Sequence, residues 1–405
     1  MSKFTPPYEC NTFLSSYLDG GNDDLPFSWQ QFPKNSLSSE KNNRLDSRGL
    51  DKDRKLPDNL DQSYIKNASP NYKQQRKWFV AGLSRACETL LGRTVIDIEF
   101  PGGEQRSACR LYLDDDSSVI ATRRGDTGRT LLEQKVLEQL APFTHNIPKI
   151  KGFNGAVLIQ EDLQGIRLSE AIKKSSEKKY EILMGKSLDS LIDIHQASEQ
   201  AGLDQAVPLL GYNNRWLNDL IEQPAVIGNY LEIECPYPPV DEIFDLLTVM
   251  RPRFIKWDAR PGNAMVGSDG EVSWFDWEHC CARNRLDDVV WLLCDEIVPY
   301  HPEAENRLIH NYLSYFADGY DLEMAYAYLR IFGILHMSIR LGGILSEKGS
   351  RRWMSASNSD FNLAEDPLIQ AQRLCKRASD WTRESICPRS ISDWFMHISS
   401  RLKEF

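Results

Sequence analysis

The sequence predicts an α+β protein in which a small β-rich unit with one internal helix precedes a larger helical unit. Short apolar runs separated by turn residues dominate positions 94–162, whereas apolar residues at helical spacing dominate the chain from Leu168 onward. The 405 residues are 41% hydrophobic and 10% aromatic, which is enough to bury a sizeable core. A wholly disordered or fibrous chain is therefore excluded.

In the β-rich unit, order is expected to begin near Arg76. Apolar residues recur at roughly helical spacing over 76–92, and Gly92 suits the end of that helix. The next elements are three short strands, a helix and two further apolar runs, at 94–124, 129–141, 147–153 and 155–162. This order predicts an N-terminal lobe over 76–162.

The larger unit, 163–405, is predicted to be helical with one exception. Residues 253–278 have the pattern of a strand, a loop and two more strands. The most apolar later stretch, 327–345, contains Arg330, His336 and Arg340. Charged residues at these positions favour a core helix over a membrane span.

The first 75 residues differ in composition from the rest of the chain. Only 21 of these 75 residues are hydrophobic, against 41% overall. Such a segment buries too little apolar surface to offset the entropy of ordering it. We therefore predict a polar, flexible N-terminal extension over 1–75.

The charge of the chain limits its partners. The net charge of −10 and the pI of about 5.4 argue against a general nucleic-acid binder, which needs a basic face. No run typical of a signal peptide opens the sequence, and the nine cysteines lack framework spacing. We expect a cytoplasmic protein with reduced thiols and no membrane partner, and the sequence leaves its oligomeric state open.

Three polar residues around a Pro-Gly turn form the most informative pattern. Asp258 and Asn263 are five positions apart, and Asp276 follows 18 residues after Asp258 at the end of an apolar strand. A loop that curls back brings all three together. Phosphoryl transfer needs such a set, because an Asp orients the acceptor hydroxyl and two oxygen ligands hold Mg²⁺.

The joint pattern D-x-x-x-x-N, followed by an apolar strand ending in D-W-E, resembles the aminoglycoside phosphotransferase family, which also includes choline and homoserine kinases. The resemblance covers roughly residues 76–345. It implies a two-lobed protein-kinase-like fold, with a small β-rich N-lobe and a larger helical C-lobe. It also implies an ATP- and Mg²⁺-dependent phosphotransferase acting on a small-molecule hydroxyl.

The resemblance assigns roles in the catalytic loop. Asp258 matches the catalytic Asp, while Asn263 and Asp276 match the metal ligands. Asp288 falls where the family has an Asp that supports the catalytic loop. Arg260, in the same loop, is expected to contribute to catalysis by contacting the transferring phosphate.

Further positions match the family's nucleotide site. Arg123 matches the Lys that contacts the α- and β-phosphates. Arg124, on the other face of the strand, is the alternative. Glu133 matches the Glu that pairs with this cation, or it lies on a solvated helix face. Gly102 and Gly103 match the phosphate loop, although a plain hairpin would explain them equally well. Ala121 matches a small residue under adenine, and the hinge is matched by Gln160, Glu161 and Leu163.

Two departures from the family pattern lie beside the catalytic Asp. Lys256 stands where the family usually has a structural His, and Trp257 replaces a residue that is usually small. We expect Trp257 to narrow or shape the acceptor site. These changes keep open a nucleotide-binding pseudokinase that acts as a scaffold, and a kinase acting on a protein is the other alternative.

An acidic span later in the chain bears on the acceptor. Residues 286–305 contain six acidic side chains and no Lys or Arg. If this span lined the site it would favour a cationic substrate, but a solvated acidic surface is the default. His195 is expected to have a packing or capping role, and the His279-Cys280-Cys281 run lacks the spacing of a metal site.

Overall fold

The computed structural model describes residues 70–103, 106–348 and 365–404. These residues form two compact units. The sheet unit comprises the described residues up to 130 together with 150–162, and the helical unit comprises 131–149 and the described residues from 163 onward. The predicted extension over 1–75 lies outside the described residues except for its last six positions, which begin a helix.

The sheet unit is a five-stranded antiparallel sheet with one helix packed on it, as the apolar runs predict. Its strand order is β1-β2-β3-β5-β4. The bounds are α1 Pro70–Leu91, β1 Val95–Glu99, β2 Ala108–Leu113, β3 Ser118–Thr122, β4 Ile150–Phe153 and β5 Leu158–Glu161.

Helix α1 covers one face of this sheet. The core between them contains apolar residues from α1 and from every strand except β4: Leu83, Cys87, Val95, Cys109, Leu111, Leu113, Val119, Ala121, Val157 and Ile159. All ten side chains are 6% exposed or less. The chain's own helix therefore closes this face of the sheet.

The helical unit contains α2 from Leu131 onward and ten further described helices. Those before the loop over 256–263 are α2 Thr127–Leu140, α3 Leu168–Lys173, α4 Glu177–Gln200, α5 Asn214–Ile221, α6 Gln223–Leu231 and α7 Val240–Leu247. Those after it are α8 Leu286–Leu293, α9 Pro302–Phe316, α10 Leu322–Lys348, α11 Pro367–Arg383 and α12 Arg389–Arg401. Counting α2 as the first, these are the eleven helices described after the sheet unit's α1.

Two small sheets interrupt these helices and hold the loop over 256–263. Their strands are β6 Ile166–Arg167, β7 Arg253–Ile255, β8 Ala264–Val266, β9 Val272–Trp274 and β10 Cys281–Arg283. Strands β6, β8 and β9 form one antiparallel sheet, and β7 pairs with β10 in the other. The three strands predicted within 253–278 are present. Because β7 and β8 belong to different sheets, residues 256–263 must cross from one sheet to the other.

Helix α10 is the one described helix that is long and apolar enough to cross a membrane by length and composition. Within its most apolar window 83% of the residues are buried inside the structure. Arg330, His336 and Arg340 lie on this helix, and Arg330 and His336 are almost fully buried. The burial agrees with the core helix that these residues predict.

Candidate active site

The loop between β7 and β8 brings Asp258 and Asn263 together. Residues 261–263 form a 3₁₀ turn in which the Asn263 N–H donates to the Arg260 carbonyl at 2.9 Å. The turn directs the Asn263 side chain back along the loop. Its Nδ2 donates to Asp258 Oδ2 at 2.8 Å and to the Asp258 carbonyl at 3.1 Å.

The backbone of this loop is strained at the candidate catalytic residue. Trp257 and Asp258 have φ values of +48° and +55°, in the left-handed region that non-glycine residues seldom occupy. Such a conformation costs on the order of 1–3 kcal/mol and persists only where surrounding contacts enforce it. It therefore indicates a functional position with strong local support.

Asp288 supplies that support, in agreement with its expected role. Its Oδ2 accepts the Lys256 N–H and its Oδ1 accepts the Trp257 N–H, both at 2.8 Å. Asp288 is fully buried at the start of α8. His195 on α4 lies 2.9 Å from Asp288 Oδ2 through Nε2. Burial lowers the pKa of His195 more than Asp288 raises it, so this histidine serves as a neutral packing partner.

Asp276 lies beside the same loop. It follows β9, and its φ is also left-handed at +63°. The Phe275 N–H donates to the Asn263 carbonyl at 3.0 Å, which sets Asp276 one residue from the contact with the loop. The structure thus gathers the three polar residues that the spacing predicts would meet.

Two charged side chains bind the backbone next to Asp276. Lys256 Nζ donates to the Asp276 carbonyl at 3.0 Å, and the Trp277 N–H donates to Glu133 Oε1 at 3.2 Å. Both side chains are buried, so Glu133 does not lie on a solvated helix face. Its pairing with a phosphate-binding cation stays a prediction. Sequence patterns could not find these contacts, since their partners are backbone atoms.

Arg260 is held by two acidic residues. Its Nε lies 2.7 Å from Asp295 Oδ2, and its guanidinium donates to Glu296 Oε1 at 2.9 Å. Arg340 on α10 donates to both oxygens of Glu296, at 2.6 and 2.7 Å. Arg340 was missed as a site residue. An arginine in an apolar helix is the signal that could have found it, because such a cation requires a partner.

The acidic span 286–305 is neither an open acidic lining nor a solvated surface. Five of its six acids are 9% exposed or less, and Glu303 alone is exposed. The partners of the five come from outside the acidic run: His195, Arg260, Arg283, Arg340 and Arg377. The four arginines neutralise four of these acids, and Asp288 is bonded by backbone N–H groups and the neutral His195. The structure therefore gives no support to a cationic acceptor on this ground.

Trp257 does not shape an open acceptor site. Its side chain is 0% exposed, and its ring centroid lies 5.3 Å from Trp291, 6.2 Å from Phe332 and 6.5 Å from Trp216. The expectation that it narrows the acceptor site is wrong. The left-handed backbone turns this ring into the core of the helical unit, where it anchors the loop.

Burial sets the proton affinity of Asp258. Loss of solvent raises its pKa, against the lowering effects of Arg260 and Lys256, and Asp276 adds to the increase. A carboxylate with a raised pKa is a stronger base, and a general base works best when its pKa approaches the working pH. The site therefore suits proton abstraction from a hydroxyl.

The donor set beside Asp258 fits Mg²⁺. The Asn263 amide nitrogen is engaged by Asp258, which leaves Oδ1 as a ligand, and Asp276 contributes a carboxylate. Mg²⁺ is commonly held by one or two such oxygen ligands together with phosphate oxygens. Within the described part of the chain, no three His, Cys, Asp or Glu side chains are grouped to hold a metal. A nucleotide would have to complete the coordination.

In the sheet unit, Ala121 and Arg123 lie on the side that α1 covers. Ala121 is 0% exposed within the core. Arg123 is exposed just after β3, and its Nη1 would lie 3.5 Å from a Cβ added at Gly82 of α1. The side chain of Ala121 therefore has no open surface for adenine. Arg124 follows two residues after the end of β3 and is half-buried, and continued alternation predicts that it lies on the side opposite Arg123.

The remaining nucleotide positions lie in turns and at a strand end. Gly102 and Gly103 lie in the turn after β1, with a φ of +91° at Gly103 that favours glycine. Gln160 and Glu161 end β5, and the chain passes from the sheet unit to the helical unit just before Leu163. Their contacts with a nucleotide stay predictions.

No protein-family model matches the chain, and no curated protein matches it in sequence. Several solved structures are similar to it. An amicoumacin kinase in complex with AMP-PNP and Ca²⁺ has 16% identity and a TM-score of 0.49, over 78% of this chain and 96% of that one. An ethanolamine kinase of Plasmodium vivax has 16% identity and a TM-score of 0.40, over 69% and 82%. A choline kinase of Streptococcus pneumoniae has 15% identity and a TM-score of 0.42, over 75% and 99%.

All three are small-molecule kinases, the kind of protein that the sequence motifs resemble. With identities of 16% or less and TM-scores below 0.5, these likenesses identify neither a substrate nor an activity for this chain.

Proposed function

We propose that the protein is an ATP- and Mg²⁺-dependent phosphotransferase that moves the γ-phosphoryl group to a hydroxyl of a small molecule. The observation that carries the proposal is the junction of Asp258, Asn263 and Asp276 on one loop and one strand end. Asp288 holds that loop in a strained conformation. Strained, over-determined carboxylates of this kind cluster at catalytic sites.

In this mechanism Asp258 accepts the proton of the acceptor hydroxyl while the oxygen of that hydroxyl attacks the γ-phosphorus. The bond from that phosphorus to the bridging oxygen breaks, and ADP leaves with the electron pair. Asn263 keeps the Asp258 carboxylate in place through its Nδ2 donor. Asn263 Oδ1 and Asp276 would hold Mg²⁺, which neutralises charge developing on the phosphates when it is bound.

The contacts of Arg260 support a positioning role, in which it holds the loop that carries Asp258. Asp295 and Glu296 bind its guanidinium, so it ties the loop to the segment after α8. We propose that Arg260 also contacts the transferring phosphate.

For the cation that orients the triphosphate, we infer Arg124 in place of Arg123. The support comes from the sheet unit alone, since α1 occupies the face that carries Ala121 and Arg123. We expect Arg124→Ala to weaken Mg·ATP binding at least about tenfold and Arg123→Ala to leave it nearly unchanged. Calorimetric titration of both variants tests the choice, and the reverse ranking would restore Arg123.

A screen of hydroxyl-containing metabolites for ATP-dependent phosphorylation tests the function. Asp258→Asn is the matched inactive variant, because it keeps the shape and an acceptor oxygen but loses the carboxylate. General-base contributions run to about 10²–10⁴-fold, so we expect its kcat to fall at least about a hundredfold. Mg·ATP affinity should stay within a few-fold of the wild type.

Asp269→Asn, an exposed change in the β8–β9 turn, is the control and should retain full rate. Near wild-type turnover by Asp258→Asn would overturn the mechanism. If no acceptor is phosphorylated and both proteins hydrolyse ATP equally slowly, the scaffold alternative replaces the enzyme.

A further inference from the structure

One peptide group at the site is hydrogen-bonded to side chains at both its carbonyl and its N–H. The carbonyl of Asp276 and the N–H of Trp277 belong to the same planar peptide group. Lys256 Nζ donates to the carbonyl at 3.0 Å, and Glu133 Oε1 accepts from the N–H at 3.2 Å. Hydrogen bonds with one ionised partner are shorter and about twice as strong as neutral ones. The plane of this peptide is therefore restrained on both sides.

The restraint acts on a residue that needs it. Asp276 has a φ of +63°, a conformation that a non-glycine residue holds only under external support. Rotation about the Asp276 N–Cα bond, which would relax this strain, also turns the following peptide. It would also redirect the Asp276 carboxylate relative to Asn263. The two bonds to the 276–277 peptide oppose that rotation.

Lys256 is fixed at its own backbone and along its side chain. Its N–H is bonded to Asp288 at 2.8 Å, two residues before Asp258. Its ammonium lies 5.2 Å from the Trp277 ring centroid and 5.9 Å from that of Trp274, and the residue is 0% exposed. The Asp258 carboxyl also interacts with this charge, and the group that accepts the ammonium's hydrogen bond is the Asp276 carbonyl. A buried ammonium is costly to keep, so a specific role accounts for it better than surface charge.

We propose that Lys256 is a positioning residue which, together with Glu133, clamps the 276–277 peptide and aims the Asp276 carboxylate at the metal. The inference rests on the proposed function. Lys256 thereby links the loop that carries the base to the strand end that carries the metal ligand. Its positioning effect is on metal affinity, through Asp276, and is separate from the lowering effect of its charge on the pKa of Asp258.

Lys256→Met tests the clamp, because it keeps an unbranched apolar stem and removes the ammonium. Outer-shell partners of metal ligands typically contribute 10–100-fold in metal affinity. We expect calorimetry to show at least about tenfold weaker Mg²⁺ binding to the ATP-loaded protein, with metal-free ATP affinity measured in EDTA unchanged. Lys256→His, which keeps a ring N–H donor, should recover part of the loss.

Lys186→Met is the matched control, since Lys186 bonds Glu271 in the same β8–β9 hairpin at 2.9 Å but does not contact the 276–277 peptide. It should leave Mg²⁺ affinity unchanged. Glu133→Leu removes the other pole of the clamp and should give a loss similar to that of Lys256→Met. If Lys256→Met no longer unfolds cooperatively, Glu133→Leu replaces it in the test.

Unchanged Mg²⁺ affinity in a folded Lys256→Met protein would overturn the clamp. The same result in Glu133→Leu would overturn it if that variant replaces Lys256→Met in the test. Neither result would contradict the proposed phosphotransferase activity. Equal loss of metal-free and Mg²⁺-dependent ATP binding would also overturn the clamp, because that result indicates a general structural effect. Failure of the proposed function is distinguishable, since the wild type would then phosphorylate no acceptor in the metabolite screen, whereas the clamp is judged by Mg²⁺ affinity alone.

Discussion

The amide nitrogen of Asn263 is bonded to two oxygens of Asp258, the carboxylate Oδ2 at 2.8 Å and the backbone carbonyl at 3.1 Å. One side chain therefore fixes both the backbone and the carboxylate of the candidate base. The bond to the carboxylate favours its ionised form, whereas burial favours the protonated form and raises the pKa overall.

The first prediction is that Asn263→Asp moves the acid limb of the kcat/KM profile to higher pH. The change replaces a donor to Asp258 with a second negative charge, and both effects favour protonated Asp258. Since only the ionised form accepts the hydroxyl proton, the rate falls at a higher pH on acidification. Steady-state rates between pH 5 and 9 measure the limb. Asn213→Asp, at a helix N-cap where either residue is suitable, should leave it unmoved.

Asp276→Ala should abolish Mg²⁺-dependent nucleotide binding while the protein stays folded. The side chain supplies the carboxylate ligand, and most of the fold does not depend on it. Asp276→Asn is the second variant, because Asn tolerates the left-handed backbone better than Ala does. Calorimetry with and without Mg²⁺ measures the loss. Wild-type Mg·ATP affinity in either folded variant would remove Asp276 from the metal site.

Arg260→Met should destabilise the protein by about 3 kcal/mol, because it leaves the buried carboxylate of Asp295 without its cation. Adding Asp295→Asn should restore part of that stability, since the uncompensated charge is then gone. Urea unfolding of the two single variants and the double variant completes the cycle. Additive losses would mean that the two side chains are not coupled.

Acid should destabilise the protein partly through His195. Burial lowers its pKa in the folded state, so below about pH 6.5 the unfolded chain binds a proton that the folded protein does not. Stability is therefore lost as pH falls through that value. His195→Gln keeps a donor for Asp288 but cannot titrate, and should reduce the slope by up to about 1.4 kcal/mol per pH unit.

Urea unfolding at several values between pH 5 and 8 gives the slope. His336 is also buried with a pKa well below the usual value, so some acid dependence should persist in the variant. Exposed His310→Gln is the control. An identical slope in wild type and His195→Gln would contradict the assignment.

Leu83→Ala should cost about 3 kcal/mol of stability in the sheet unit. Leu83 is 0% exposed between α1 and the sheet, and Leu→Ala changes in a core typically cost 2–5 kcal/mol. Leu131→Ala, at a residue 47% exposed on α2, is the matched control and should change stability by less than about 0.5 kcal/mol. Similar losses in both variants would mean that α1 is not part of the core.

Local patterns in the sequence were enough to predict the elements and the central residues of the site. A Pro-Gly turn confines Asp258 and Asn263 to a short loop, and the β8–β9 hairpin returns Asp276 to it; these relations are short in sequence. The helix at 76–92 and the strands followed from periodicity for the same reason. The role of Asp288 came from the family resemblance, and the structure agrees with it.

Tertiary structure alone decided which surfaces and which charges meet. Alternation along β3 predicts that Ala121 and Arg123 share a face, but only the packing of α1 reveals that this face is closed at Ala121. Arg340 meets Glu296 across 44 residues, and Trp257 turns into the core because its backbone is left-handed. Periodicity reports the neighbours of a residue along its own element, whereas partners distant in sequence depend on how all the elements pack.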